Sequence, residues 1–133
     1  MVQSKGKLLS WETPFAAETW PSVHVSLVGR LHETVVHVES LSRWQIRFKH
    51  VVGVKISDET YDGNARFHIP RERENLCSYI WNDSEWLKEI SAEYAELVGE
   101  GVLRHYVLLG GDNNVEILAV GDVTIEQQGN YEV

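Results

Sequence analysis

This chain contains little cysteine and little proline, and it has no long apolar run. The single cysteine, Cys77, cannot form an internal disulfide and cannot build a thiolate zinc site by itself. No apolar stretch approaches the roughly 18 residues that a membrane-spanning helix needs, and the first residues lack the apolar core of a secretory signal. We therefore expect a cytoplasmic protein with no membrane partner, held together by a hydrophobic core.

The composition also excludes a disordered or repetitive chain. The 133 residues include 43% apolar residues, five tryptophans and only three prolines, whereas disordered and collagen-like sequences are poor in aromatic residues or rich in proline. This length suits one domain. We predict a single domain over residues 1–133, in which residues 1–21, with Pro14 and Pro21, form an irregular N-terminal arm.

Alternation of apolar and polar residues predicts that most of the chain is β-strand. In residues 44–56 the apolar side chains fall mainly on even positions and the basic ones on odd positions, so an extended chain separates them onto two faces. His50 and Gly53 interrupt the two rows, and a bend or bulge is expected there. Further strands are predicted at 23–27, 35–38, 65–69, 103–109, 115–119 and 123–126, with turns at 61–64 and at Gly121-Asp122.

One helix is predicted from about Ser84 to Val98, capped by Asn82, Asp83 or Ser84 and followed by glycines. Its apolar side chains recur on one face, which should be buried. The predicted core combines that face with the sheet: Trp86, Ile90, Leu97, Ile46, Phe48, Val107 and Ile117. The expected fold class is α+β, a curved antiparallel sheet of about six to eight strands with one main helix on its concave face or open end.

Negative charge dominates and is concentrated in the second half of the chain. Twelve Lys and Arg against twenty Asp and Glu give a net charge of −8. Residues 1–71 carry nine basic and seven acidic side chains, whereas residues 72–133 carry three and thirteen. Nucleic-acid binding rests on a basic face, so we expect no nucleic-acid partner. An acidic surface either keeps a small protein soluble or binds a basic partner.

The predicted helix carries five glutamates on one flank beside its apolar face: Glu85, Glu89, Glu93, Glu96 and Glu100. Like charges at i,i+4 cost about 0.2–0.5 kcal/mol per pair, so this row works against the helix that carries it. Two explanations stay open. Basic side chains of residues 43–55 or solvent neutralise the row, or the carboxylates bind a basic protein partner. On the second explanation, these five glutamates are the predicted partner-binding residues.

No motif in the sequence predicts catalysis. It contains neither a Gly-x-Ser-x-Gly elbow nor a phosphate-binding glycine loop. The acidic neighbours of Cys77 disfavour its thiolate, and the six histidines lack the helical spacing of metal ligands. We therefore expect a protein that is not an enzyme, with no catalytic residue, no cofactor and no metal.

An alternative stays open, in which the chain is a β-rich domain that binds a small ligand or a metal and has an enzymatic activity. In this alternative His24, His37 and His105 converge across the sheet as metal ligands. The aromatic side chains of Trp44, Trp81 and Tyr106 would line the pocket.

Several short segments are typical of a hairpin-rich domain: Trp44-Gln45-Ile46-Arg47-Phe48, Val54, Asp58-Glu59, Arg104-His105-Tyr106-Val107, Asp112-Asn113 and Val115-Glu116-Ile117-Leu118-Ala119. Together they resemble small bacterial α+β proteins, some of which are similar to immunity proteins encoded beside toxins. The resemblance implies binding without catalysis, with a basic toxin such as a nuclease as the partner. We predict a non-catalytic protein-binding module, immunity-like or regulatory, that presents an acidic surface to a basic partner.

Overall fold

The computed structural model describes residues 7–18, 21–27, 33–58, 76–93 and 102–130. Within these ranges the chain forms seven strands and one helix. In chain order they are β1 (Lys7–Ser10), β2 (Ser22–Leu27), β3 (Thr34–Glu39), β4 (Ser42–Asp58), β5 (Ser78–Asn82), α1 (Glu85–Glu93), β6 (Leu103–Leu109) and β7 (Asn113–Asn130). The turn predicted at 61–64 and the strand predicted at 65–69 lie outside the described residues.

The seven strands form one antiparallel sheet in the order β1-β5-β6-β7-β4-β3-β2. This confirms the expected antiparallel sheet with one helix. Sheet predominates in the described part of the chain, so the α+β class applies only loosely. Among the described residues, no helix has the length and apolar character needed to cross a membrane.

The long pair β4–β7 forms the centre of the sheet. Its register shifts between Phe48 and His50 and again between Val51 and Gly53, which confirms the irregularity predicted at 50–53. β7 runs without a break through Gly121, where we expected a turn between two strands. Gly121 has a φ of 88°, a left-handed conformation that glycine adopts without strain, so the strand absorbs the irregularity and continues.

One face of the sheet, here called the inner face, carries the main core. The buried residues of this core are Phe15, Val23, Val36, Val38, Ile46, Phe48, Val51, Cys77, Tyr106, Leu108, Val115, Ile117 and Ala119. The sheet curls toward this face: Val23 on the edge strand β2 donates its backbone N–H to Asp112 in the β6–β7 turn at 3.0 Å, although β3 and β4 separate β2 from β7.

The N-terminal segment covers part of the inner face. Phe15 is fully buried and its ring centroid lies 6.1 Å from that of Trp44, while the ring of Trp11 lies 4.9 Å from that of Tyr106. Residues 11–18 form neither a strand nor a helix. Residues 7–10 instead form β1, which pairs with β5, because four residues are too short to show a periodic pattern in sequence.

The opposite face, here called the outer face, has two halves. Over β1, β5 and β6 it carries a small apolar cluster of Leu8, Tyr79 and Val107, and α1 lies over β6. Over β2, β3 and β4 the outer face is largely polar, because alternation sends most apolar residues of these strands to the inner face; buried Val35 is an exception. No described helix covers this polar half.

α1 therefore packs on the outer face and not on the concave side. Trp86 and Ile90, which we expected in the main core, are half-buried, and no described residue of α1 is buried. Val107 is buried in the outer cluster, and Leu97 lies outside the described residues. The other predicted core residues do lie on the inner face: Ile46, Phe48 and Ile117.

Candidate functional site

Two histidines on neighbouring strands form the centre of the polar half of the outer face. His24 on β2 and His37 on β3 are direct partners across the strands, and their rings stack with centroids 4.7 Å apart. Ser26 Oγ lies 3.1 Å from His37 Nε2. Glu39 follows His37 by two residues on the same face. The ligand atoms of His24, His37 and Glu39 all lie within 4.8 Å of one another.

The environment of this group favours a neutral His37 ring. Burial lowers the pKa of His37 from its usual value, and the nearby His24 and Arg43 lower it further, whereas Glu39 acts in the opposite direction. Arg43 Nε is 3.9 Å from Glu39 Oε1. A neutral imidazole offers one nitrogen lone pair, so the group combines two ring nitrogens and a carboxylate in a solvent-accessible position.

A second polar group is buried between α1 and the sheet. Ser84 Oγ lies 2.6 Å from His105 Nδ1, and His105 Nε2 lies 2.9 Å from Glu116 Oε1. A carboxylate only accepts hydrogen bonds, so Nε2 donates to Glu116, and in the neutral ring Nδ1 accepts from the Ser84 hydroxyl. Ser84 Oγ also accepts the backbone N–H of Leu87 at 3.1 Å, which makes Ser84 the N-cap of α1.

Two tryptophans enclose the His105 ring. Trp81 stacks on it with centroids 5.2 Å apart, and Trp86 of α1 meets it edge-on at the same distance. Gly53 makes room for Trp86, because a Cβ at that position would lie 2.7 Å from Trp86 Cζ2. Lys55 Nζ lies 4.1 Å from the centroid of the Trp86 ring. These contacts hold the start of α1 against β4 and β6.

The order hydroxyl, imidazole and carboxylate is also found in hydrolases, but here it serves the fold. Ser84, His105 and Glu116 are 2%, 1% and 1% exposed, so a substrate carbonyl has no access to the hydroxyl. The hydroxyl oxygen is already engaged by the helix N-terminus. The arrangement therefore anchors α1 to the sheet through buried hydrogen bonds, and none of its three side chains is open to a substrate.

The acidic flank of α1 is exposed. Glu85, Glu89 and Glu93 all face solvent, and Glu96 and Glu100 lie outside the described residues. Within the described part of the chain, no basic side chain forms an ion pair with the first three. Three of the four Lys and Arg residues of β4 have other contacts: Arg43 approaches Glu39, Arg47 pairs with Glu33, and Lys55 lies over Trp86.

The structure separates the residues of the alternative ligand-binding hypothesis. His24 and His37 come together, but His105 is on β6, three strands from His37, which is about 14 Å at normal strand spacing. The aromatic set is divided as well: Trp44 and Tyr106 pack in the inner core, whereas Trp81 packs on the outer face.

Two carboxylates of these polar groups were not predicted from the sequence. Glu39 joins the two histidines, and Glu116 holds His105. A signal existed for Glu116, because it is charged and lies between the apolar residues Val115 and Ile117, and buried charges require partners. Glu39 at the end of a strand shows no such signal.

Comparison of the chain with protein-family models, with curated proteins and with solved structures finds no match. Function must therefore be inferred from the contacts of the chain itself.

Proposed function

We propose that this protein is a non-catalytic binding module, and that the acidic flank of α1 meets a basic protein partner. The observation that supports this most directly is the exposure of Glu85, Glu89 and Glu93 on a helix whose first turn is anchored by buried hydrogen bonds. Their charges are four residues apart, and no described ion pair within the fold neutralises them.

The anchoring makes the flank suitable for recognition. Ser84 and Trp86 hold the first turn of α1 on the sheet, so the carboxylates need little further ordering on binding. Repulsion between them at i,i+4 destabilises an isolated helix, and a basic partner would relieve that repulsion. The resemblance to immunity proteins makes a basic toxin encoded beside this chain the first partner to test.

The test compares two double variants with the same change of charge. Glu89→Gln with Glu93→Gln alters the flank, whereas Glu12→Gln with Glu126→Gln removes two exposed carboxylates outside α1. Stopped-flow association with the purified toxin, measured over a range of salt, should be slowed several-fold by the flank variant. Its salt dependence should also flatten, and dissociation should change less. Lys88→Gln removes the only basic side chain of α1 and should accelerate association.

Stability measurements separate a binding role from a structural one. The flank variant should unfold at the same or slightly higher urea concentration, because it removes like-charge pairs. Equal association rates for the two double variants would refute the proposal. Loss of folding in the flank variant would also refute it, since the glutamates would then be paired within the fold.

A further inference from the structure

We propose that His24, His37 and Glu39 form a binding site for a divalent transition-metal ion of the zinc class on the outer face. Among the described residues, this is the only group of three such side chains whose ligand atoms lie within 4.8 Å of one another. Imidazole nitrogen suits zinc, copper and nickel, and a carboxylate oxygen completes a common ligand set.

Sheet geometry places the three ligands. His24 and His37 occupy opposed positions on antiparallel strands, where Cβ atoms lie about 4.5–5.5 Å apart. His37 and Glu39 are two residues apart on β3 and therefore share a face. The neighbouring residues Val36 and Val38 are fully buried in the inner core, so the strand that carries two of the ligands is held firmly.

Ser26 prepares His37 for this role. Its hydroxyl lies 3.1 Å from His37 Nε2. When Nε2 carries the proton and donates to Ser26, the lone pair of the neutral ring is on Nδ1. Metal-bound histidines characteristically use their second ring nitrogen in this way, which sets the tautomer and the ring orientation. Ser26 is thus a positioning residue and not a ligand.

Binding requires a small closure of the side chains. A tetrahedral zinc ion holds its ligand atoms about 3.3 Å apart, which is less than the 4.8 Å limit of the present group. His24 is exposed on the edge strand, so its ring can leave the stack with His37 by side-chain rotation. Three protein ligands leave a fourth position for water or for a donor atom from another molecule.

Arg43 provides an internal check on the assignment. Its Nε lies 3.9 Å from Glu39 Oε1, and its positive charge opposes the arrival of a cation. Because an exposed ion pair contributes little, Arg43→Gln should raise metal affinity by only about two- to fivefold. Loss of folding would not produce a gain in metal affinity.

The experiment titrates the metal-free protein with Zn²⁺ by calorimetry and with Co²⁺ by visible absorption, which reports coordination geometry. We expect one ion per chain. Replacing a residue that only hydrogen-bonds a metal ligand typically lowers metal affinity about 10–100-fold. Loss of a ligand itself, in His24→Gln, His37→Gln or Glu39→Ala, should therefore reduce the affinity at least about tenfold. His50→Gln, an exposed histidine on β4 outside the group, is the matched control and should bind as the parent does.

Three results would overturn the proposal: no saturable binding, full binding after loss of either His24 or His37, or equal weakening by His50→Gln, which would indicate diffuse binding to surface imidazoles. Neither association kinetics nor the glutamates of α1 enter this test, so its outcome is independent of the proposed function.

Discussion

Removing the Ser84 hydroxyl tests whether the buried network holds α1 on the sheet. Ser84→Ala deletes two interactions: the cap on the N–H of Leu87 and the hydrogen bond to His105 Nδ1. Loss of an N-cap costs about 1 kcal/mol. A buried acceptor left without its donor costs about 1–3 kcal/mol. The free energy of unfolding should therefore fall by about 2–4 kcal/mol.

Ser84→Gly separates the two contributions. Glycine replaces serine at an N-cap at a cost of only a few tenths of a kcal/mol, so this variant mainly reports the lost bond to His105, about 1–3 kcal/mol. Ser84→Ala should be less stable than Ser84→Gly by the remaining capping energy. Ser91→Ala, at an exposed position of the same helix, is the control and should change stability by less than about 0.5 kcal/mol.

Urea unfolding followed by circular dichroism measures these differences. With a slope of about 2 kcal/mol per molar urea, the midpoint of Ser84→Ala should fall by about 1–2 M while the slope stays constant. A loss below about 0.5 kcal/mol for Ser84→Ala would refute the reasoning, because it would mean that the hydroxyl neither caps α1 nor satisfies His105.

Three further predictions concern other parts of the fold. Burial by itself raises the pKa of Asp112, but hydrogen bonds from Val23 N–H and neighbouring donors outweigh this and lower the pKa below its usual 3.8. By urea unfolding, Asp112→Ala should therefore be less stable than the parent by its full amount above about pH 5, and this difference should shrink as the pH falls below 3.8. A difference that does not depend on pH would contradict this. Gly53→Ala places a Cβ against Trp86, so it should lower the unfolding free energy by about 1–3 kcal/mol and shift tryptophan fluorescence, whereas unchanged values would mean that the ring moves freely. Burial, followed by the nearby Glu18, raises the pKa of Cys77 to about 12, so the folded protein should resist thiol-specific labelling at pH 8 while the urea-unfolded chain reacts, and rapid labelling of the folded protein would disprove this.

The two halves of the outer face suggest different uses. In the half over β5 and β6, α1 lies over β6 and turns its acidic flank to solvent. The half over β2 and β3 is polar and holds the two histidines with Glu39. A binding partner and a metal ion would therefore occupy separate regions, and the two proposals can fail independently.

Local patterns in the sequence determined most of the strands and the start of α1. Alternation predicted strands within β2, β3, β4, β6 and β7, because backbone geometry turns successive side chains to opposite faces, whereas β1 and β5 were not predicted. The interruptions at His50 and Gly53 located the irregularity in β4, and Ser84 at the start of an amphipathic segment was among the predicted caps, each from its immediate neighbours.

Only the tertiary structure decided which distant residues meet. The pairing of His24 with His37 depends on hairpin register, and a slip of one residue would send one ring to the other face. Strand order placed His105 three strands from His37 and opposite Glu116. α1 lies on the outer face because Ser84 and Trp86 contact His105 there, and that contact depends on the position of β6 in the sheet. Register, strand order and the packing of apolar surface are properties of the whole folded chain, so local periodicity cannot predict them.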